Sequence, residues 1–117
     1  MSKRPERDVA ELFFALGDGT RLSLVTRLGA GGALSATALA DGAQVTRQAI
    51  VKHLQVLEGA GLVTHEKHGR EVLYALEADR LADARAFLDG ISAAWDRAID
   101  RLRALVEESP ARSGRRR

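Results

Sequence analysis

The residues best suited to chemistry lie between Thr46 and Ala60, in the run TRQAIVKHLQVLEGA. Wound as an α-helix at 100° per residue, this run gathers Ile50, Leu54 and Leu57 on one face and Gln48, Val51, Lys52 and Gln55 on the opposite one. The second face has the chemistry for reading duplex DNA. A glutamine amide pairs with the edge of adenine through two hydrogen bonds, a valine meets the methyl of thymine, and a lysine reaches phosphate or guanine. Thr46 suits the helix cap, and Arg47 sits at the helix start, where amide dipoles also favour a phosphate. His53 projects to the flank beside Ile50, so a phosphate contact or a structural role is expected of it rather than base reading. Polar stripes of this kind are common on solvated helices, and the surrounding elements must therefore make the distinction.

Those elements form a readable series. Val9, Leu12, Phe13 and Leu16 recur at helical spacing from Arg7 onward, which predicts a first helix ended by Gly17. Asp18 can cap a second helix by accepting the amide near Arg21; Leu22, Leu24, Val25 and Leu28 give it a buried face, and Gly29, Gly31 and Gly32 stop it. A third, short helix at about 35–41 opens on Ser35, and Asp41-Gly42 turns the chain toward the helix beginning at Thr46, which Gly61 ends. The stretch LVTHEKHGREVLYAL then reads as two strands around a His68-Gly69 turn. An isolated hairpin is marginal in water, so this one should lean on the helices through Val63, Val72, Tyr74 and Leu76. From about 79 to 107, Leu81, Ala84, Leu88, Ile91, Trp95, Ala98, Leu102 and Leu105 follow gaps alternating three and four, the pattern of a coiled-coil seam. Such a helix is about 40 Å long, more than a small domain covers alone, so part of its seam needs a partner.

Length and composition narrow the function. With 117 residues, 45% of them hydrophobic, the chain supports one modest core. The expected organisation is a flexible start over 1–6, one domain over 7–108 with a C-terminal dimerisation helix, and a disordered basic tail over 109–117. Four arginines, Arg112, Arg115, Arg116 and Arg117, fall in that tail; removing them from the 18 basic residues leaves 14 against 16 acidic ones. Total charge therefore says nothing for nucleic acid, and a local basic surface must do so. There is no cysteine, which removes disulfides, thiolate nucleophiles and cysteine-based metal sites. Neither a secretory leader nor an apolar stretch of membrane-spanning length is evident, so a cytoplasmic location is expected. Nucleophile elbows, phosphate loops and His-Glu-x-x-His are missing, and Asp89, Asp96 and Asp100 stand at salt-bridge spacing with arginines of the last helix, so no enzyme is expected.

The segments FFALGDGTRLSLVTRL and VTRQAIVKHLQVLEGAGLV, with Gly69-Arg70 and Tyr74 following, resemble the ArsR/SmtB family of repressors over about Val9 to Val106. The resemblance implies a mainly α fold with a β-hairpin wing, a winged helix-turn-helix in the order helix, helix, helix, helix, strand, strand, helix, with the first and last helices building a homodimer. It also implies a sequence-specific regulator that represses from an imperfect palindrome, with two recognition helices about 34 Å apart in successive major grooves. The DNA-binding residues are then Thr46, Arg47, Gln48, Val51, Lys52, His53 and Gln55, joined by Lys67, His68 and Arg70 at the wing tip. Val9, Leu12, Phe13, Leu88, Ile91, Trp95 and Leu102 form the dimer interface. Where founding members carry Cys-x-Cys this chain has Ser35-Ala36-Thr37, and its last helix lacks histidine. Hydroxyls are poor ligands for soft metals, and His65 and His68 face opposite sides of a strand, so no metal or other cofactor is expected. Two alternatives remain open at this point: a winged-helix module for protein or RNA, and a regulator with a small-molecule pocket near the first and last helices, whose effector the sequence does not name.

Overall fold

The computed structural model describes residues 5–108. The elements run α1 (Pro5–Leu16), α2 (Gly19–Gly31), β1 (Leu34–Ser35), α3 (Ala36–Ala40), α4 (Arg47–Gly59), β2 (Val63–His68), β3 (Glu71–Leu76) and α5 (Ala78–Glu107). The helix starts follow their caps. The carboxylate of Asp18 accepts the amide of Arg21 at 3.0 Å, the hydroxyl of Ser35 accepts that of Ala38 at 3.1 Å, and the hydroxyl of Thr46 accepts that of Ala49 at 3.1 Å. Each bond satisfies one of the amides that a helix start leaves without a partner.

β2 and β3 form the expected antiparallel hairpin, in register from Val63 opposite Leu76 to His68 opposite Glu71, and Gly69 supplies the positive φ of 63° at its turn. A third strand joins them. Leu34 and Ser35 pair with Tyr74 and Leu73, giving a three-stranded sheet in the order β1-β3-β2. This departs from the two-strand expectation because a two-residue strand has no periodicity of its own; its only signal is the neighbour it pairs with.

The described residues divide into two compact units, with the break between Ala84 and Arg85. The core of the first unit is built around Leu12, Leu39, Ile50, Leu54, Leu57, Leu62 and Val63, all with less than 2% of their surface exposed. Burying each such aliphatic side chain contributes roughly 1.5–3 kcal/mol before entropy is counted. Tyr74 and Leu76 of β3 pack against this cluster, which gives the hairpin the support it needs. Leu12 was expected at the dimer interface and belongs instead to this core, with no surface left for a partner; Val9 and Phe13 stay half-buried. Helical spacing shows which residues share a face and does not tell which neighbour the face meets.

α1 begins at Pro5, two residues before the expected start, because proline is well tolerated at the first helical position, where its missing N–H has no partner to lose. The rest of the expected flexible start and the basic tail at 109–117 lie outside the described residues. Within α5 the last buried residue is Ala84. Among the described residues no helix is long and apolar enough to cross a membrane.

Candidate nucleic-acid interface

α3 and α4 meet across the turn 41–46 and form the helix-turn-helix. Ile50, Leu54 and Leu57 seat α4 on the core, and Gln48, Lys52 and Gln55 are exposed, as the projection required. Val51 is half-buried and touches the core from the rim of that polar face. Thr46, Arg47, Gln48, Val51, Lys52 and Gln55 together line an open groove of about 500 Å³. The exposed side thus offers amides and a cation around one apolar edge.

Arg47 is tethered. Its Nε donates to the hydroxyl of Thr37 at 3.1 Å, which fastens α3 to the start of α4. Arg47 and Arg70 both line a smaller cleft of about 320 Å³, with Ser35, Thr37, Tyr74 and Glu71 among its other walls. One basic residue of α4 and one of the wing thus line the same cleft, together with one acidic residue. A guanidinium presents several N–H donors in a plane, which suits phosphate oxygens.

On the wing Lys67, His68 and Arg70 are all exposed. Nε2 of His68 lies 3.1 Å from the carboxylate of Glu66, so any contact it makes to a phosphate competes with that partner. His65 pairs instead with Glu58 at the end of α4, Nδ1 to Oε2 at 2.8 Å, and its ring lies 5.7 Å from that of Tyr74. The two histidines thus have separate carboxylate partners. Among the described residues no group of three or more His, Cys, Asp or Glu is placed to hold a metal ion.

His53 is separate from the polar face. Its side chain is 24% exposed, and its Nδ1 faces Arg21 at 3.3 Å and the Asp18 carboxylate at 3.8 Å. The Asp18 carboxyl is held below its ordinary range, first by the Arg21 backbone amide, against the cost of partial burial, with the charge of Arg21 adding to the effect. Two further residues shape the site and escaped the sequence reading. Arg27 of α2 donates to the carbonyls of Leu39 and Ala38 at 2.6 and 3.2 Å, satisfying acceptors at the end of α3. Arg80 donates through Nε to the carbonyl of Ala60 at 2.9 Å, just past the end of α4. Neither has a local sequence signal, since the partners are set by the tertiary fold.

A capped helix pair with its second helix seated by three aliphatics, backed by a β-hairpin that carries basic residues beside it, defines a winged helix-turn-helix protein. The known proteins it resembles agree. A family described as a helix-turn-helix domain matches residues 16–66. The chain is 39% identical over 93 residues to the HTH-type transcriptional regulator Rv2034 of Mycobacterium tuberculosis, covering 80% of this chain and 83% of that protein. It is 34% identical over 99 residues to the HTH-type transcriptional repressor SmtB of the same species, covering 81% of this chain and 71% of that protein. Among solved structures, an ArsR-like transcriptional regulator from Rhodococcus sp. RHA1 superposes with a TM-score of 0.76 at 38% identity, covering 86% of this chain and 93% of that one. The chain belongs to the ArsR/SmtB family of helix-turn-helix transcriptional regulators.

Proposed function

We propose that the chain represses transcription as a homodimer that lays two copies of α4 in successive major grooves of an imperfect palindrome. The observation that carries this reading is the division of α4 itself: Ile50, Leu54 and Leu57 are fully buried while Gln48, Lys52 and Gln55 stand in solvent. A helix seated in this way has its amide-bearing side available for base edges. Thr46, Arg47 and Val51 complete that surface, and Lys67, His68 and Arg70 of the wing contact the sugar-phosphate backbone beside it. His53 supports α4 from its flank.

Dimerisation supplies the spacing. The second unit is a helix with Leu88, Ile91, Trp95 and Leu102 all exposed, at 52, 41, 65 and 63%. No cofactor is assigned to this activity.

The direct test is a mobility shift with the DNA upstream of the chain's own gene, at graded salt. Sequence-specific retardation that weakens steeply as salt rises is expected, because each phosphate contact releases bound counterions. Equal retardation of unrelated duplexes at all salt concentrations would count against the proposal.

A further inference from the structure

Arg21 lies in the first turn of α2 and reaches both α1 and the recognition helix. Its Nε donates to the carbonyl of Ala15 at 2.7 Å and one Nη to the carbonyl of Phe14 at 3.4 Å, while the guanidinium carbon sits 5.5 Å from the centre of the Phe14 ring. The other Nη faces Nδ1 of His53 at 3.3 Å. A guanidinium carries only donors and keeps its charge throughout the working range of a protein. Nδ1 must then present its lone pair, which leaves the imidazole proton on Nε2. The rival partner is the Asp18 carboxylate, and at 3.8 Å it stands beyond hydrogen-bond range of Nδ1. Nε2 has no protein partner among the described residues and reaches solvent.

We propose that Arg21 is a positioning residue for DNA reading: by donating into Nδ1 of His53 it fixes that imidazole as the neutral Nε2–H tautomer and holds the middle of α4 in register with α2. The proposal rests on the DNA-binding reading of α4 and adds to it a residue outside the helix-turn-helix. The aliphatic seats Ile50, Leu54 and Leu57 are non-directional and tolerate small rotations of the helix. A hydrogen bond from a guanidinium that is itself pinned to two α1 carbonyls does not, so it selects one rotation of the face bearing Gln48, Lys52 and Gln55.

The first test needs no variant and no DNA. Nitrogen NMR of the full-length chain at neutral pH should show His53 protonated on Nε2 alone; a proton on Nδ1 would overturn the contact. The second compares operator affinity in three variants, each checked by a thermal melt. Asparagine places its carbonyl near the position of Nδ1, whereas glutamine places its amide near Nε2. His53→Asn should therefore bind the upstream DNA more tightly than His53→Gln and His53→Ala, which lose about tenfold. Glutamine binding as well as histidine while asparagine fails would mean that Nε2–H itself touches DNA, and the proposal would fall. It falls equally when all three bind as the unaltered chain does. An unaltered chain that retards no duplex strikes instead at the DNA reading, and the tautomer still decides whether Arg21 grips His53.

Discussion

Arg80 grips Asp8 with both ends of its guanidinium: one Nη donates to Oδ2 at 2.9 Å and the other to Oδ1 at 2.8 Å, across 72 residues of sequence. The same Nη that meets Oδ2 also donates to Asp83 at 3.1 Å, and Nε donates to the carbonyl of Ala60. With 15% of the side chain exposed, this residue fastens α1, the end of α4 and the opening turn of α5. The hydrogen bonds it donates to Asp8 raise the pKa of the guanidinium, so the charge is secure at every working pH. Arg80→Lys keeps the charge and loses the planar fork. We expect it to cost about 1–3 kcal/mol in a urea melt, because the three donors of one ammonium cannot replace the five hydrogen bonds that the fork spreads over Asp8, Asp83 and Ala60. A lysine variant as stable as the parent would show that charge alone suffices.

Gly61 lies against that guanidinium. Its φ is +81°, and a Cβ added there would stand 3.3 Å from Nε of Arg80. Gly61→Ala therefore meets both backbone strain and a crowded neighbour, and a loss of at least about 1 kcal/mol is expected. Introducing Arg80→Ala as well should relieve the crowding and leave the strain. The two changes should thus be non-additive in equilibrium unfolding, and strictly additive losses would place the whole effect in the backbone.

Asp18 gives a dependence on pH. Its folded pKa is lowered from an ordinary value of 3.8, chiefly by the Arg21 amide it caps. A depressed carboxyl stabilises the fold above its unfolded pKa, and that contribution disappears as pH falls through the folded value. Asp18→Ala should therefore lower Tm at neutral pH, and the gap between variant and parent should close below about pH 4. Melts across that range check it; a gap that persists unchanged in acid would assign the effect to something other than the charge.

The sequence made some of this legible and hid the rest for physical reasons. Asp18, Ser35 and Thr46 mark helix starts, since capping is local, and the alternation of Ile50, Leu54 and Leu57 with Gln48, Lys52 and Gln55 orients α4 from the sequence alone. Leu12 was assigned to the wrong neighbour, and the short strand at Leu34 went unseen, because both depend on what the chain meets after folding. His53 with Arg21 and Arg47 with Thr37 are side-chain pairs separated by 32 and 10 residues, and nothing in their spacing marks them. The positions expected to bind DNA were therefore identifiable as a face, while the groups that fasten that face were not.

That face supplies the most direct functional prediction. Gln48→Ala with Lys52→Ala removes an amide and a cation from the exposed side of α4 without touching its buried seats. Operator affinity should fall by about 10-fold or more, and the salt slope of binding should shrink by about one for the lost lysine. The melting curve should stay where it was. Retained affinity in this double variant, measured by anisotropy at several salt concentrations, would remove α4 as the reading surface.

Trp95 tests the proposed dimer. It is 65% exposed on a helix in which no described residue after Ala84 is buried, and Leu88, Ile91 and Leu102 share its seam. Aromatics in the middle of an interface commonly contribute about 2 kcal/mol or more, so Trp95→Ala should weaken self-association by about 30-fold. Trp95→Asp adds an unpaired charge to the seam and should leave a monomer at micromolar concentration in sedimentation equilibrium. The core around Leu54 lies wholly before Arg85, so the circular dichroism of the first unit should survive both changes. The monomer should also lose operator affinity although α4 is intact, since one recognition helix cannot span two half-sites. A Trp95→Asp chain that sediments as a dimer would move the interface off this helix, and one that stays monomeric yet binds the operator at full strength would mean that pairing is not what positions α4 on DNA.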